Sequence, residues 1–403
     1  MAIDIAKGKS VFYIQSVHGE ILLEPTEYKH TLSNFKQLDQ IINERRLKEK
    51  LTVIMESTSS YHYPVERFFD EYKYSVIIIN PNLVKKSDTS FRKTKTDKED
   101  CFKIANCYFK EDIKSNALKS LNIYDNLTTL NRQYLALEKS LTAMKNRYVR
   151  LLDICIPEHE SFYVTTDSNK DKHKKYTAKM LNFYYEFPHS EIIASTRVDR
   201  LANNLNSSFK RNYLNRLRSE AKSMKEHSKN SYPGVHKDST ETQNLRCTIR
   251  IVKTLQKEQG IVNDELIELA KTTRFFPNIN SIPGLGELRT SQLIAELKDI
   301  SRFNSYKQIN AYCGLEPTIY QSGNSLVNGK ISKAGNSAAR KILYTSIKNI
   351  TISSYNNYRN HPILLYYIKK KETKTEKESV VAATTKLIRI IFSLCKNDTL
   401  FTL

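Results

Sequence analysis

The tightest constraint on the fold lies early in the chain, where two short apolar runs, residues 51–55 and 75–79, flank a stretch of helical period at 61–72. Runs of about five apolar residues bounded by turn signals read as buried strands, and alternation with helices points to a sheet with helices packed on it. Residues 11–17 and 20–23 read as two further strands around a turn at His18 and Gly19, and 31–43 as a helix. Asn80 and Pro81 end the strand at 75–79. A last helix is expected from about Thr96, whose hydroxyl can cap it ahead of Asp97. Residues 1–115 are therefore expected to form one α/β domain with a mixed sheet.

Lys and Arg number 64 against 43 Asp and Glu, a formal charge of +21. An excess of that size suits a polyanion, and nucleic acid is the usual one. No stretch approaches ~18 uninterrupted apolar residues, which argues against a membrane span. The start of the chain lacks the basic, apolar, small-residue order of a signal peptide, so a cytoplasmic protein without a membrane partner is expected. Cys101, Cys107, Cys155, Cys247, Cys313 and Cys395 form no Cys-x-x-Cys pair. Buried reduced thiols are expected rather than a zinc site or a disulfide framework.

The character changes after residue 115. Leu130, Tyr134, Leu137, Leu141, Met144, Tyr148 and Leu151 recur in alternating steps of four and three. Such an a/d stripe fits a coiled coil or a helix packed on its own domain, and Pro157 stops it. A second long helix is expected at 242–272, with Leu245, Ile249, Val252, Leu255, Val262, Leu266 and Leu269 on one side and Gly260 as a weak point. The two suit an antiparallel pair or a dimer seam. The segment 158–240 is polar and basic, with loops expected at 169–175 and 228–239 and helices at 178–187 and 191–205. It reads as an insertion that touches nucleic acid, or as a plain spacer. The expected organisation is then a coiled-coil and linker region at 116–272 and a helical domain at 273–403.

Four carboxylates sit where chemistry is expected. Asp4 lies in the first strand, Glu56 ends the run Leu-Thr-Val-Ile-Met-Glu, and Asp97 and Asp100 are three apart on a helix, hence on one face. Acids at the ends of neighbouring strands plus two on a helix turn can converge on Mg²⁺ or Mn²⁺, which take oxygen ligands. Two such ions can clamp the attacking and leaving oxygens of a phosphodiester. Asp4 and Glu56 each abut an apolar run, where a charge is costly unless paired or metal-bound. Glu66 and Glu99 read as surface acids.

The C-terminal region carries two more motifs. Pro283-Gly284-Leu285-Gly286 ahead of a helix reads as the turn of a helix-hairpin-helix, with Gly284 and Gly286 letting backbone N–H groups approach a phosphate. Ser322, beside Gly323 in a stretch read as a polar loop, is a candidate nucleophile if cations and a metal stabilise its alkoxide. Lys330, Lys333 and Arg340 are the candidate cations. Ser332 is read as the N-cap of a helix from Lys333, with Asn336 and Arg340 on its exposed side.

Together these pieces resemble the DEDD transposase family of bacterial insertion sequences, which includes Piv-like DNA invertases and RNA-guided "bridge" recombinases. The elements that carry the likeness are Ile3-Asp4-Ile5-Ala6-Lys7, Met55-Glu56-Ser57-Thr58, Ile79-Asn80-Pro81 and Lys95-Thr96-Asp97-Lys98-Glu99-Asp100. In the second half they are Ile282-Pro283-Gly284-Leu285-Gly286, Gly314-Leu315-Glu316-Pro317, Tyr320-Gln321-Ser322-Gly323 and Ile331-Ser332-Lys333-Ala334-Gly335-Asn336. The resemblance implies an RNase H-like (RuvC-like) N-terminal domain, a coiled-coil middle and a helical transposase domain. It implies metal binding by Asp4, Glu56, Asp97 and Asp100, and Ser322 as the nucleophile forming a 5′-phosphoserine link. It further implies a site composed from two protomers, a dimer that assembles to a tetramer on donor and target DNA, and a structured guide RNA. Ala2 stands where the family usually carries glycine two before the Asp, and the first strand is expected to be short. The residues alone leave two other readings open: a RuvC-type nuclease that uses water, and an inactive nucleic-acid-binding protein.

Overall fold

The computed structural model describes residues 1–45, 47, 51–57, 60–79, 97–110, 123–163, 174–208, 213–322 and 325–403. They form two compact units, 1–122 and 123–403. The first contains strands β1 (Ala2–Ala6), β2 (Lys9–Gln15), β3 (Ile21–Lys29), β4 (Thr52–Glu56) and β5 (Ser75–Ile79). Its helices are α1 (Leu32–Glu44), α2 (Tyr63–Glu71) and α3 (Asp97–Lys110). The sheet order is β3-β2-β1-β4-β5. β2 is antiparallel to both its neighbours, and β4 is parallel to both of its own. The mixed sheet is thus as expected, and the short first strand is hydrogen-bonded on both sides. The expected turn at Asn80–Pro81 and the Thr96 cap lie outside the described residues.

Local chemistry explains the elements. The Thr31 hydroxyl caps α1 by accepting from the Asn34 N–H, and Pro64 sits in the first turn of α2, where a missing N–H is tolerated. β3 runs past Pro25, well beyond the strand end expected at Leu23. A shift of register between Phe12 and Ile14 admits an extra residue at that point, and β3 is an edge strand, where proline is tolerated.

Side chains alternate across the sheet. Ile3, Ile5, Phe12, Ile14, Val53 and Met55 face Phe35, Leu38 and Ile42 of α1 and Val65, Phe68 and Phe69 of α2. Ala2, Tyr13, Ile54, Ile77 and Ile79 face the other way, against Cys101, Ile104 and Ala105 of α3. Glu66, expected at the surface, is buried in α2, with His62 Nε2 4.0 Å from its carboxylate.

The described residues of the second unit are helical apart from one hairpin. Two long helices, α4 (Ile123–Cys155) and α9 (Thr240–Lys271), pair antiparallel: Leu127 shares a core with Leu266 and Ala270, and Tyr148 and Leu151 share another with Leu245 and Ile249. α9 passes through Gly260 without a break. The core around Tyr148 is completed by α5 (Ala178–Glu186), α6 (Ser190–Ser195), α7 (Val198–Asn206) and α8 (Leu214–Lys229). The segment read as a polar insertion is thus a packed helical module. The helix expected at 191–205 divides at Thr196, which is extended and whose hydroxyl donates back to the Ile192 carbonyl at 2.6 Å. α8 was not expected, and Ser228, expected to open a loop, is buried in its last turn and donates to Glu158 Oε1 at 2.7 Å.

The remaining elements are α10 (Phe276–Asn280), α11 (Glu287–Leu297), α12 (Tyr306–Tyr312), β6 (Pro317–Ser322), β7 (Ser325–Ile331), α13 (Ser337–Asn357), α14 (Pro362–Lys371) and α15 (Glu376–Asn397). They share one core with the near ends of α4 and α9. Cys155, Cys313 and Cys395 are buried free thiols; burial pushes Cys313 and Cys395 up to about 12 and Cys155 up to about 11. Cys247 is exposed, against the expectation of a core thiol. No helix among the described residues is long and apolar enough to cross a membrane.

Phe69 of α2 is fully buried against the sheet, its ring centroid 6.3 Å from that of Phe12 and 5.2 Å from that of Tyr74. Phe69→Ala should destabilise the first unit by about 3–5 kcal/mol. Differential scanning calorimetry of the full chain checks this as a fall in the transition of that unit.

Candidate active site

Parallel pairing brings the first two carboxylates together. The register Ala2↔Ile54 and Ile3↔Met55 makes Asp4 and Glu56 the next pair along β1 and β4. Neighbouring strands lie about 4.8 Å apart, and residues in register on parallel strands share a face. That face is the one covered by α3, because Ala2 and Ile54, two residues back on each strand, pack against it. Both acids are half-buried there.

α3 brings the other two. Its buried stripe is Cys101, Ile104 and Ala105, and Asp97 and Asp100 precede Cys101 and Ile104 by one helical turn, so they continue that stripe at the N-terminal end. The Cys101 thiol donates to the Val11 carbonyl at 3.3 Å, and Val11 is the residue directly across from Asp4. The start of α3 is thereby seated over the acid-bearing end of β1. The Asp100 carboxylate accepts from Lys103 Nζ at 3.2 Å. The side chain of Asp97 lies outside the described residues. Among the described residues no three His, Cys, Asp or Glu side chains already form a closed metal cluster. The donors nonetheless fit a hard divalent cation: all are carboxylates, and two lie at adjacent register positions, where like charges repel unless a cation stands between them.

The second unit carries the serine motif. Ser322 is not in a loop: it ends β6 and pairs with Ser325 at the tip of the β6–β7 hairpin, whose base is Pro317 opposite Ile331. The side chains of residues 319–328 lie outside the described ones. Below the hairpin two glycine segments interlock. Ser332 N–H donates to the Glu316 carbonyl at 2.8 Å, Lys333 N–H to Gly314 at 3.1 Å and Asn336 N–H to Tyr312 at 2.8 Å. A Cβ on Gly335 would stand 2.5 Å from the Tyr312 carbonyl oxygen, so only glycine passes there.

Ser332 is therefore not a helix cap. Lys333 has φ of 55°, outside any right-handed helix, and α13 begins at Ser337. Asn336 is its N-cap, accepting from the N–H groups of Ala338 and Ala339 at 3.0 Å. Arg340 does not lie on an open face either; its guanidinium donates to the Cys313 carbonyl at 2.7 Å. Lys330 and Lys333 are exposed.

Glu296 in α11 was not singled out from sequence. Its side chain is fully buried. It accepts from Asn131 Nδ2 and Arg132 at 2.7 Å each and from Asn336 Nδ2 at 2.8 Å. One buried carboxylate thus joins the long helix α4 to the cap beneath the serine hairpin. The available signal was an acid inside the run Leu293-Ile-Ala-Glu-Leu297, all of it buried.

The glycine turn has a packing role. Gly284 has φ of +88°, and a Cβ there would stand 2.7 Å from the Ile350 Cα of α13. Gly286 is the exposed residue preceding α11 and has open space around it.

Residues 1–157 match a family model described as a transposase, that of the IS110 DEDD domain, and residues 277–361 match the model of the transposase IS116/IS110/IS902 family. The chain belongs to the IS110 family of transposases. The four carboxylates fall in the first matched segment, and Ser322 with its flanking cations in the second. The chain is 33% identical over 99 residues to the transposase for insertion sequence element IS1111A of Coxiella burnetii, covering 25% of this chain and 27% of that protein. It is 29% identical over 120 residues to the pilin gene-inverting protein of Moraxella bovis, covering 29% of this chain and 36% of that protein. The similar segments thus span about a third of these relatives. The five-stranded sheet of this IS110 family member is consistent with an RNase H-like domain, and the family typically uses divalent metal ions.

Removing the buried carboxylate should loosen the serine module from α4. Glu296→Ala leaves the buried Asn131 amide without its acceptor and removes the best acceptor of Asn336, and should cost about 1–3 kcal/mol, read as a lower urea midpoint of the second unit. An unaltered midpoint would contradict the assignment.

Proposed function

We propose that the chain is a DNA transposase or recombinase that breaks and rejoins phosphodiesters through Ser322. What carries this reading is the register that sets Asp4 beside Glu56 on the face where the acidic start of α3 is seated. Asp4, Glu56, Asp97 and Asp100 would hold Mg²⁺ or Mn²⁺, which, when bound, neutralises charge on the phosphoryl oxygens and the leaving oxygen. The Ser322 hydroxyl attacks phosphorus; the Oγ–P bond forms, the P–O3′ bond breaks, and the 3′-oxygen takes up a proton. The bond energy is retained in the 5′-phosphoserine. A 3′-hydroxyl from another end then attacks, expels the serine and reseals the strand. Lys330 and Lys333, exposed near the hairpin base, neutralise the approaching backbone, while Arg340 and Asn336 position the hairpin.

The same reading extends to assembly. Ile251 and Ile261 are exposed apolar side chains on α9, which favours a helical seam between copies of the chain. Carboxylates from one protomer and Ser322 from another would then make up each site, in a dimer that assembles to a tetramer on donor and target DNA. A structured guide RNA is the proposed source of sequence specificity. Gly286, at the exposed start of α11, is a backbone contact for a phosphate; Gly284 supports the turn that presents it, in the manner of a helix-hairpin-helix.

Incubating the protein with DNA carrying the ends of its own element, the adjacent non-coding RNA and Mg²⁺, then denaturing, should yield a protein–DNA adduct. Ser322→Ala should abolish it, and Asp4→Ala, Glu56→Ala or Asp97→Ala should lower it by at least about 10²-fold. Chelation should remove the adduct and Mn²⁺ restore it. Free DNA ends in equal amount from wild type and Ser322→Ala, with no adduct, would overturn the serine and leave a nuclease that uses water.

A further inference from the structure

Beside the serine hairpin the second unit contains an open groove of about 1080 Å³, walled by β7, by α13 and by the start of α15. Six cations line it: Lys330, Lys333, Arg340, Lys341, Lys374 and Lys377. A single acid, Glu378, shares the lining. Its carboxylate is turned into the capping box of α15, accepting from both the N–H and the hydroxyl of Thr375, and these hydrogen bonds hold it below its ordinary range. Its hydrogen bonds are thereby committed to the helix start, with the neighbouring Lys374 adding a weaker charge interaction.

The cations differ in how they are held. Arg340 is bound to the Cys313 carbonyl, and Lys341 pairs with Glu138 at 3.2 Å. Among the described residues no carboxylate forms a close ion pair with Lys330, Lys333, Lys374 or Lys377; Lys374 feels only the nearby charge of Glu378. One of these four stands where local physics disfavours it. Lys377 is the second residue of α15, at the positive end of its helix dipole, where a cation is unfavourable. Lys374 lies just before the N-cap of α15 and just after the last turn of α14, its N–H donating to the Lys370 carbonyl at 3.0 Å. The placement of Lys377 therefore costs helix stability and adds charge to the groove.

The floor is of another kind. Leu315, Tyr344 and Val381 are buried or half-buried apolar and aromatic groups between the cationic walls. Cationic edges over an apolar and aromatic floor match a single nucleic-acid strand, whose phosphates meet the lysines while sugars and bases rest on the floor. A duplex presents phosphates on a broad convex surface and would not reach that floor.

We propose that this groove binds the sugar-phosphate backbone of a single nucleic-acid strand beside the serine hairpin, with Lys374 and Lys377 as phosphate ligands. The proposal rests on the reading of the chain as a nucleic-acid enzyme, but not on covalent chemistry at Ser322. The hairpin spans roughly 17 Å from base to tip, so a strand gripped at its base is within a few nucleotides of Ser322. DNA and RNA share the chemistry recognised.

The test is fluorescence anisotropy of full-length protein with labelled 20-nucleotide DNA, RNA of the same sequence, and the DNA duplex, over a range of salt concentrations. In the Lys374→Ala/Lys377→Ala protein, affinity for a single strand should fall roughly tenfold at 0.15 M salt, and the slope of log K against log salt should flatten by about 1.4, the loss of two phosphate contacts. The thermal midpoint should be essentially unchanged, since α15 loses an unfavourable cation at Lys377. Flattening with DNA alone or RNA alone identifies which strand the groove takes. An unaltered slope on both single strands, or a loss confined to the duplex, overturns the proposal. The serine reading stands or falls separately, on the adduct formed by protein with intact Lys374 and Lys377.

Discussion

The parallel pairing of β1 with β4 is the interaction on which the functional reading depends. Strand pairing has a period of two, so a one-residue slip would turn Glu56 to the face covered by α1 and α2 and leave Asp4 without its neighbour. The apolar alternation on both strands resists that slip: Ile3 and Met55 are fully buried on one face, Ala2 and Ile54 nearly so on the other. The hydrophobic core thus fixes a juxtaposition of two anions that electrostatics alone would oppose. α3 completes it through a modest contact, the Cys101 thiol on the Val11 carbonyl, backed by Ile104 and Ala105.

The serine module is built on a different principle. Backbone hydrogen bonds between two glycine segments hold the base of its short hairpin, Ile331 packs on the core, and the buried Glu296 anchors the cap beneath it to α4. A buried carboxylate is costly unless its oxygens are satisfied, and three donors converge on this one. The arrangement ties the position of the hairpin base to the helix that also enters the second core around Tyr148. Charge is arranged with the same economy: Arg340 is spent on holding the backbone, while the exposed lysines line the open groove.

Much of this was legible in the sequence, for stated reasons. The run at 75–79 coincides with β5 because four consecutive β-branched apolar residues, Val76 to Ile79, next to turn signals have little alternative. The long helices show because their stripe repeats over many turns. The acids stood out because they border apolar strands. What escaped notice depended on three-dimensional context. β3 continues past Pro25 because an edge strand with a bulge tolerates it. α8 was hidden because only Leu217, Ala221, Met224 and Ser228 form its buried stripe in an otherwise polar segment. Choosing Asn336 over Ser332 as a cap needs the positive φ of Lys333 and the close approach at Gly335. Glu296 went unnoticed because its partners are distant in sequence.

The convergence of four carboxylates on one cation is the central claim, and Mn²⁺ titration of the full chain followed by electron paramagnetic resonance tests it most directly. Wild type should bind Mn²⁺, and Asp4→Asn, Glu56→Gln and Asp97→Asn should each weaken that binding by at least about tenfold, while Glu99→Gln leaves it unchanged. Equal Mn²⁺ binding by wild type and by the Glu56→Gln and Asp97→Asn proteins would contradict the account.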